Sequence, residues 1–231
     1  MDAPRRTVVS FVNRGGRMTA GQTRAWERQW PAMGRDITAL PPGPLELDEW
    51  FGRSAPVLLE IGSGMGETTA ALAEAAPDVN YVAVDVYQPG LAQLMMRAET
   101  AGLTNLRLLR GDAVVLLGQH LPEQSLSGVR IFYPDPWPKK KHHKRRLVQP
   151  SLVSVVASRL VPGATLHLAT DWEHYAEHMM EVCSAEPHLR NLYADEPGGW
   201  APRPVWRPLT KFESRAEEEG RVSRDLIFER A

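Results

Sequence analysis

From residue 57 onward, short apolar runs alternate with stretches of helical periodicity. Val57-Leu-Leu-Glu-Ile61 is an apolar run that enters a glycine turn, and the alanine-rich 67–76 after it is helix-like. Tyr81-Val-Ala-Val84 is a second buried run, and 89–101 sets Leu91, Leu94, Met95 and Ala98 on one helical face. Leu106-Arg-Leu-Leu109 predicts a third strand, 113–118 a short helix, and Val129-Arg-Ile-Phe-Tyr133 a fourth strand. A helix over 150–160 buries Leu152, Val155, Val156 and Leu160, with Pro150 in its first turn, where proline is tolerated. Ala164-Thr-Leu-His-Leu-Ala169 predicts a fifth strand and 172–185 another helix. Beyond 186 the chain is rich in Pro, Gly and Trp, and Asp225-Leu-Ile-Phe228 predicts a last strand reached by an irregular crossover.

Strands alternating with helices at this spacing predict an α/β fold with a doubly wound, mostly parallel sheet. Right-handed crossovers gather the carboxyl ends of the strands along one edge, where such sheets bind ligands. Gly62, Asp85, Asp112, Asp135 and Asp171 all follow strands directly. Residues 1–56 lack sustained periodicity. Within them 8–12 reads as a short strand or extended arm and 21–30 as a short helix, before Pro41-Pro-Gly-Pro44 breaks the chain. Residues 1–50 read as a basic arm preceding one domain over 51–231.

Composition narrows the class. At 231 residues, 43% apolar and 24% charged, the chain is long enough for one large domain with an extension. No run approaches the ~18 apolar residues of a membrane span, and Met1-Asp-Ala-Pro-Arg-Arg lacks the apolar core of a signal peptide. The single cysteine, Cys183, fits a reducing cytoplasm. The net charge of −1 conceals polarisation: residues 1–36 carry +4 and 139–146 carry +6, which leaves −11 for the remainder. Two concentrated basic segments point to a localised polyanion contact.

Glu60-Ile-Gly-Ser-Gly-Met-Gly66 spaces its glycines as G-x-G-x-G, not as the G-x-G-x-x-G that seats a pyrophosphate. Glu60 at the strand end repels phosphate and attracts a cation. S-adenosylmethionine, which carries a sulfonium and an ammonium and no phosphate, matches Gly62, Gly64 and Gly66 better than NAD does. Asp85 is placed for ribose hydroxyls and Asp112 for an adenine amino group; a strand-end Asp is also often a helix N-cap, the alternative for Asp112 and Asp171.

The longest concentration of chemistry is Pro134-Asp-Pro-Trp-Pro-Lys-Lys-Lys-His-His-Lys-Arg-Arg146. A carboxylate, an indole and prolines can shape a flat slot for a base edge, and the basic run behind them can neutralise a nucleic-acid backbone. His142 and His143 lack the partners of a metal site, so no metal is expected. This stretch resembles the signature of bacterial tRNA (guanine-N7)-methyltransferases. So do Ser10-Phe-Val-Asn-Arg-Gly-Gly-Arg17 with Gly21-Gln22, the Glu60 glycine motif, Ala169-Thr-Asp171 and Thr210-Lys-Phe-Glu213, in the family's order.

The resemblance implies a seven-stranded, Rossmann-like S-adenosylmethionine-dependent methyltransferase fold and methyl transfer to guanine N7 at position 46 of the tRNA variable loop. It implies that Glu60, Asp85, Asp112 and Asp135 bind the cofactor and that Asp135 is catalytic. Lys139, Asp171, Thr210, Lys211, Phe212 and Glu213 would bind substrate. Lys140, Lys141, Lys144, Arg145 and Arg146, with Arg14 and Arg17 from the arm, read as contacts to the RNA backbone. Two departures from the family pattern, Asp85 for a more frequent Glu and Ser63 for a larger residue, bear on the ribose contact. A non-catalytic RNA-binding protein would not need an intact glycine loop, and a small-molecule methyltransferase would have no use for 139–146. A methyltransferase acting on another RNA or on DNA is the nearer rival, and both monomer and homodimer stay open.

Overall fold

The computed structural model describes residues 9–11, 15–209 and 211–231, with the backbone alone for Lys211 and Phe212. Eight strands form one sheet: β1 (Gly34–Asp36), β2 (Val57–Ile61), β3 (Asn80–Asp85), β4 (Leu106–Arg110), β5 (Leu126–Phe132), β6 (Leu160–Thr170), β7 (Leu189–Asn191) and β8 (Arg224–Arg230). Their order is β1-β4-β3-β2-β5-β6-β8-β7. The sheet is parallel except where β8 pairs antiparallel with β6 and β7. β2 lies between β3 and β5, so the strand order reverses there and opens a crevice at the carboxyl ends.

The apolar pattern marks six strands and the resemblance implies seven; the described residues form eight, and the two without an apolar run to announce them are β1 and β7, three residues each. β1 adds to the edge of β4, so part of the segment read as an arm belongs to the sheet. The extended possibility at 8–12 gains no strand over its described residues, 9–11.

Among the described residues eight α-helices cover the faces: α1 (Ala20–Met33), α2 (Leu47–Phe51), α3 (Glu67–Ala75), α4 (Gln88–Thr100), α5 (Ala113–Gln119), α6 (Pro150–Arg159), α7 (Glu173–Ser184) and α8 (Lys211–Glu218). Leu59, Val82, Val129 and Leu166 face Leu116 of α5, Val156 of α6 and Met179 of α7. On the other face Tyr81, Ala83, Leu106 and Leu108 pack on Leu72 of α3 and Leu91 and Met95 of α4, with Trp26 and Trp30 of α1 outside them.

α1 begins in a capping box. The Gln22 N–H donates to Thr19 Oγ1 at 3.2 Å, and the Thr19 N–H donates to Gln22 Oε1 at 2.9 Å. The same buried Gln22 donates to the Pro89 carbonyl at 3.3 Å, which fastens α1 to the start of α4. Among the described residues, no helix is long and apolar enough to cross a membrane.

Candidate active site

A cleft of about 420 Å³ opens at the strand reversal, lined by Gly62, Gly64, Asp85, Asp112 and Asp135 among others. Gly62 (φ +83°) and Gly64 (φ +54°) turn the chain away from β2 in conformations that favour glycine, and a Cβ on either would enter open space. Gly66 (φ +74°) lies behind the loop, where a Cβ would come within 2.5 Å of Leu94. The sequence reading missed Gly90 on α4: a Cβ there would stand 2.1 Å from the Gly64 carbonyl oxygen. A glycine one residue after Pro89 in the first turn of α4 was the available signal for that close approach.

The acids divide into roles. Asp85 accepts from the N–H of Gly64 through Oδ2 and of Tyr87 through Oδ1, both at 2.9 Å, and so braces the loop from β3. Burial raises its carboxyl above the usual range; backbone N–H groups oppose the rise and Asp135 adds to it. Asp112 caps α5 by accepting from the Val114 N–H at 2.9 Å. A carboxylate has about four acceptor sites, so Asp85 and Asp112 can accept further bonds from a ligand. A cleft with three carboxylates on its wall suits a cationic, phosphate-free cofactor, so these residues fit S-adenosylmethionine.

Glu60 departs from its expected place. It is 3% exposed, does not line the cleft, and accepts from Thr69 Oγ1 at 2.9 Å beneath the loop. Burial pushes its carboxyl up to about 7, against the Thr69 hydroxyl and the Arg130 charge, with Asp85 adding to the rise. The folded protein therefore holds this proton more tightly than the unfolded chain. The stabilisation is full below pH 4.5 and is lost as pH rises through about 7, a span on the order of 3 kcal/mol. Glu60→Gln removes that loss: its Tm advantage over the parent grows between pH 5 and 7 and levels off above. An advantage constant across pH 5–8 in thermal denaturation would contradict this assignment.

The stretch 133–137 leaves β5 under unusual backbone constraint. Tyr133 (φ +50°) and Trp137 (φ +46°) both adopt left-handed conformations on either side of Asp135. Such conformations cost bulky residues about 1–3 kcal/mol each and persist where surrounding contacts impose them. Those contacts are visible. The Tyr133 hydroxyl donates to Ser223 Oγ and accepts from Arg207, both at 3.1 Å. Arg146 donates through Nε to the Pro136 carbonyl at 3.0 Å. Trp137 Nε1 donates to the Ser10 carbonyl at 3.2 Å, and Arg145 lies 3.8 Å over the Trp137 ring. Ser10, Phe11, Gly15 and Gly16 line the same cleft, so the described part of the leading segment forms one of its walls.

The basic run splits. A 3₁₀ helix over Lys140–Arg145 leaves Lys139, Lys140, Lys141 and Lys144 exposed. Arg146, expected on the RNA backbone, is corrected: it is 2% exposed and sits over the Tyr175 ring at 4.7 Å, with no surface to offer a phosphate. Arg17 is exposed; Arg14 lies outside the described residues.

The expected substrate set divides in the same way. Asp171, after β6, accepts from Arg221 at 2.8 Å. Thr210 lies outside the described residues, and Lys211 and Phe212 open α8. Glu213 is 1% exposed, held by Arg203 Nε at 2.6 Å and by both terminal nitrogens of Arg207 at 2.9 and 3.0 Å. Burial alone would raise its carboxyl, but the hydrogen bond from Arg203 and the charges of both arginines hold it below the usual range. Arg207 also donates to Asp225 at 2.9 Å, and Asp225 in turn meets His167 Nε2 at 2.7 Å. Nothing in the sequence marked Arg207 as a buried hub, because an arginine in an irregular, proline-rich stretch gives no sign of its partners.

Residues 54–226 match the protein-family model described as "Putative methyltransferase". A tRNA (guanine-N(7)-)-methyltransferase of Streptomyces avermitilis is 50% identical over 225 residues, 97% of this chain and 76% of that protein. One from Chromohalobacter salexigens is 48% identical over 227 residues, 98% of this chain and 91% of that protein. Among solved structures, the 16S rRNA methyltransferase KamB superposes with a TM-score of 0.56 at 17% identity, covering 83% of this chain and 95% of that one, a likeness of fold. The cleft, its acidic wall and the motifs around it thus lie in a chain that belongs to the tRNA (guanine-N(7)-)-methyltransferase family.

Proposed function

We propose that this enzyme transfers the methyl group of S-adenosylmethionine to N7 of the guanine at position 46 in the variable loop of tRNA, forming 7-methylguanosine in the cytoplasm. The observation that carries the reading is the adjacency of two surfaces on one loop: Asp135 on the wall of an acidic cleft, and four exposed lysines within nine residues of it. Bound S-adenosylmethionine supplies an electrophilic methyl on a positively charged sulfur. Asp85 and Asp112 hold its sugar and base, and the glycine turn leaves room for it. Asp135 orients the guanine and favours the positive charge that the ring acquires.

Guanine N7 has a lone pair available at neutral pH, so no residue need remove a proton from it. Lys139, Lys140, Lys141 and Lys144, with Arg17, neutralise RNA phosphates, while Arg146 holds the loop that presents them. Replacing Lys140, Lys141 and Lys144 together with glutamine flattens the dependence of log K on log salt by about two to three units. An unchanged slope in tRNA-binding titrations would locate the phosphate contacts elsewhere.

Nucleoside mapping of tRNA treated with the protein and labelled cofactor tests the reaction itself. The expected product is 7-methylguanosine at one variable-loop position. Label in another base, or in DNA alone, would sink the assignment.

A further inference from the structure

The mechanism proposed above uses Asp135 but leaves unexplained a buried polar cluster behind it. Arg207 is 1% exposed and donates to Glu213, Asp225 and the Tyr133 hydroxyl at once. These partners come from three separate places: the start of α8, the start of β8, and the residue that leads into Pro134-Asp135. Tyr133 lines the cleft, and its strained φ of +50° sets the direction in which the loop departs from β5.

We propose that Arg207, acting through the hydroxyl of Tyr133, is a positioning residue for methyl transfer: it locks the Asp135 loop to Glu213 at the start of α8. The inference rests on the assignment of Asp135 to the chemistry. Its physical content is that a tyrosine in a left-handed conformation needs an external restraint, and here the restraint is a hydrogen bond from a cation held by two carboxylates. Glu213 then serves the reaction from the interior, by fixing Arg207, and not by touching the tRNA. The guanidinium plane and its several simultaneous bonds also explain why arginine occupies this position, since an ammonium cannot span all of these partners.

Tyr133→Phe tests the link while keeping the ring in the cleft wall. A hydrogen bond from a charged donor supports a rate effect of about tenfold when its acceptor is lost. The expected result is a fall of that size in the single-turnover methylation rate at saturating S-adenosylmethionine and tRNA, with both dissociation constants within about twofold of the parent's. In an Arg207→Lys background, Tyr133→Phe should have almost no further effect on rate, because the same link is already broken.

A parental rate in Tyr133→Phe overturns the inference. So does an equal loss in both backgrounds, or a rate loss matched by weaker cofactor binding. Should Arg207→Lys fail to fold, the single variant still decides, through its split between rate and affinity. Asp135→Asn in the same assay separates the two readings. If that variant keeps the parental rate, the role of Asp135 fails; if it loses the rate and Tyr133→Phe does not, the positioning link alone fails.

Discussion

Replacing Asp135 with asparagine lowers the single-turnover methylation rate by about 10²–10³-fold at saturating cofactor and tRNA, the range seen when one preorganised electrostatic group is removed. The substitution keeps shape and hydrogen-bonding reach but deletes the charge, and the charge is what a methylated, positively charged purine needs. Since guanine N7 requires no deprotonation, rate must come from alignment with the methyl donor and from electrostatics, and alignment alone is worth several kcal/mol. Two measurements check this. Stopped single-turnover kinetics should show the loss with saturated binding, and the rate of the parent should be flat across neutral pH, because no general base titrates. A parental single-turnover rate in Asp135→Asn, with only weaker binding, would reduce Asp135 to a docking group.

Arg207→Met destabilises the fold by about 3–5 kcal/mol, the usual result when one member of a buried ion cluster is removed. For a chain of this length that corresponds to a fall in Tm of about 10 °C. Methionine preserves much of the side-chain volume, so the loss reports the bonds. Asp225 keeps His167, and Glu213 keeps Arg203 at the protein surface. Burial lowers the proton affinity of His167 while Asp225 raises it, with burial the larger effect; an imidazole kept neutral is a weaker partner for that carboxylate than the guanidinium. Thermal denaturation of parent and variant measures the difference directly. A shift below 2 °C would mean that Arg203 and His167 suffice and that the cluster is redundant.

How much of this was legible beforehand depends on what each residue is buried against. β2, β3 and β4 could be read because they are covered on both faces and hence run as continuous apolar stretches. Gly-Arg-Asp of β1 and Leu-Arg-Asn of β7 have no such pattern; they are strands because a neighbour offers its edge. In the site, Gly62, Gly64, Asp85, Asp112 and Asp135 were found from their positions after strands, which topology converts into a shared cleft. Glu60, Glu213 and Arg146 kept their charge signatures in the sequence but lie inside the molecule. A list of charged residues cannot say which of them face one another. The run 139–146 reads as uniformly basic, yet its last member turns inward to the Pro136 carbonyl while the lysines point out.

The pairing of β1 with β4 bears on how the chain can be shortened. Gly34, Arg35 and Asp36 occupy the outer rim of β4 from Leu108 to Arg110, and the stacked indoles of Trp26 and Trp30, 4.0 Å apart, roof the helix layer beside it. Trimming the first 36 residues to shed positive charge would bare a row of unmated peptide groups next to an oily helix surface. Such a rim recruits other chains. The trimmed protein would be lost to self-association before any deficit in tRNA affinity could be measured, whereas charge-neutralising substitutions at exposed Arg17 and Arg24 leave that rim covered.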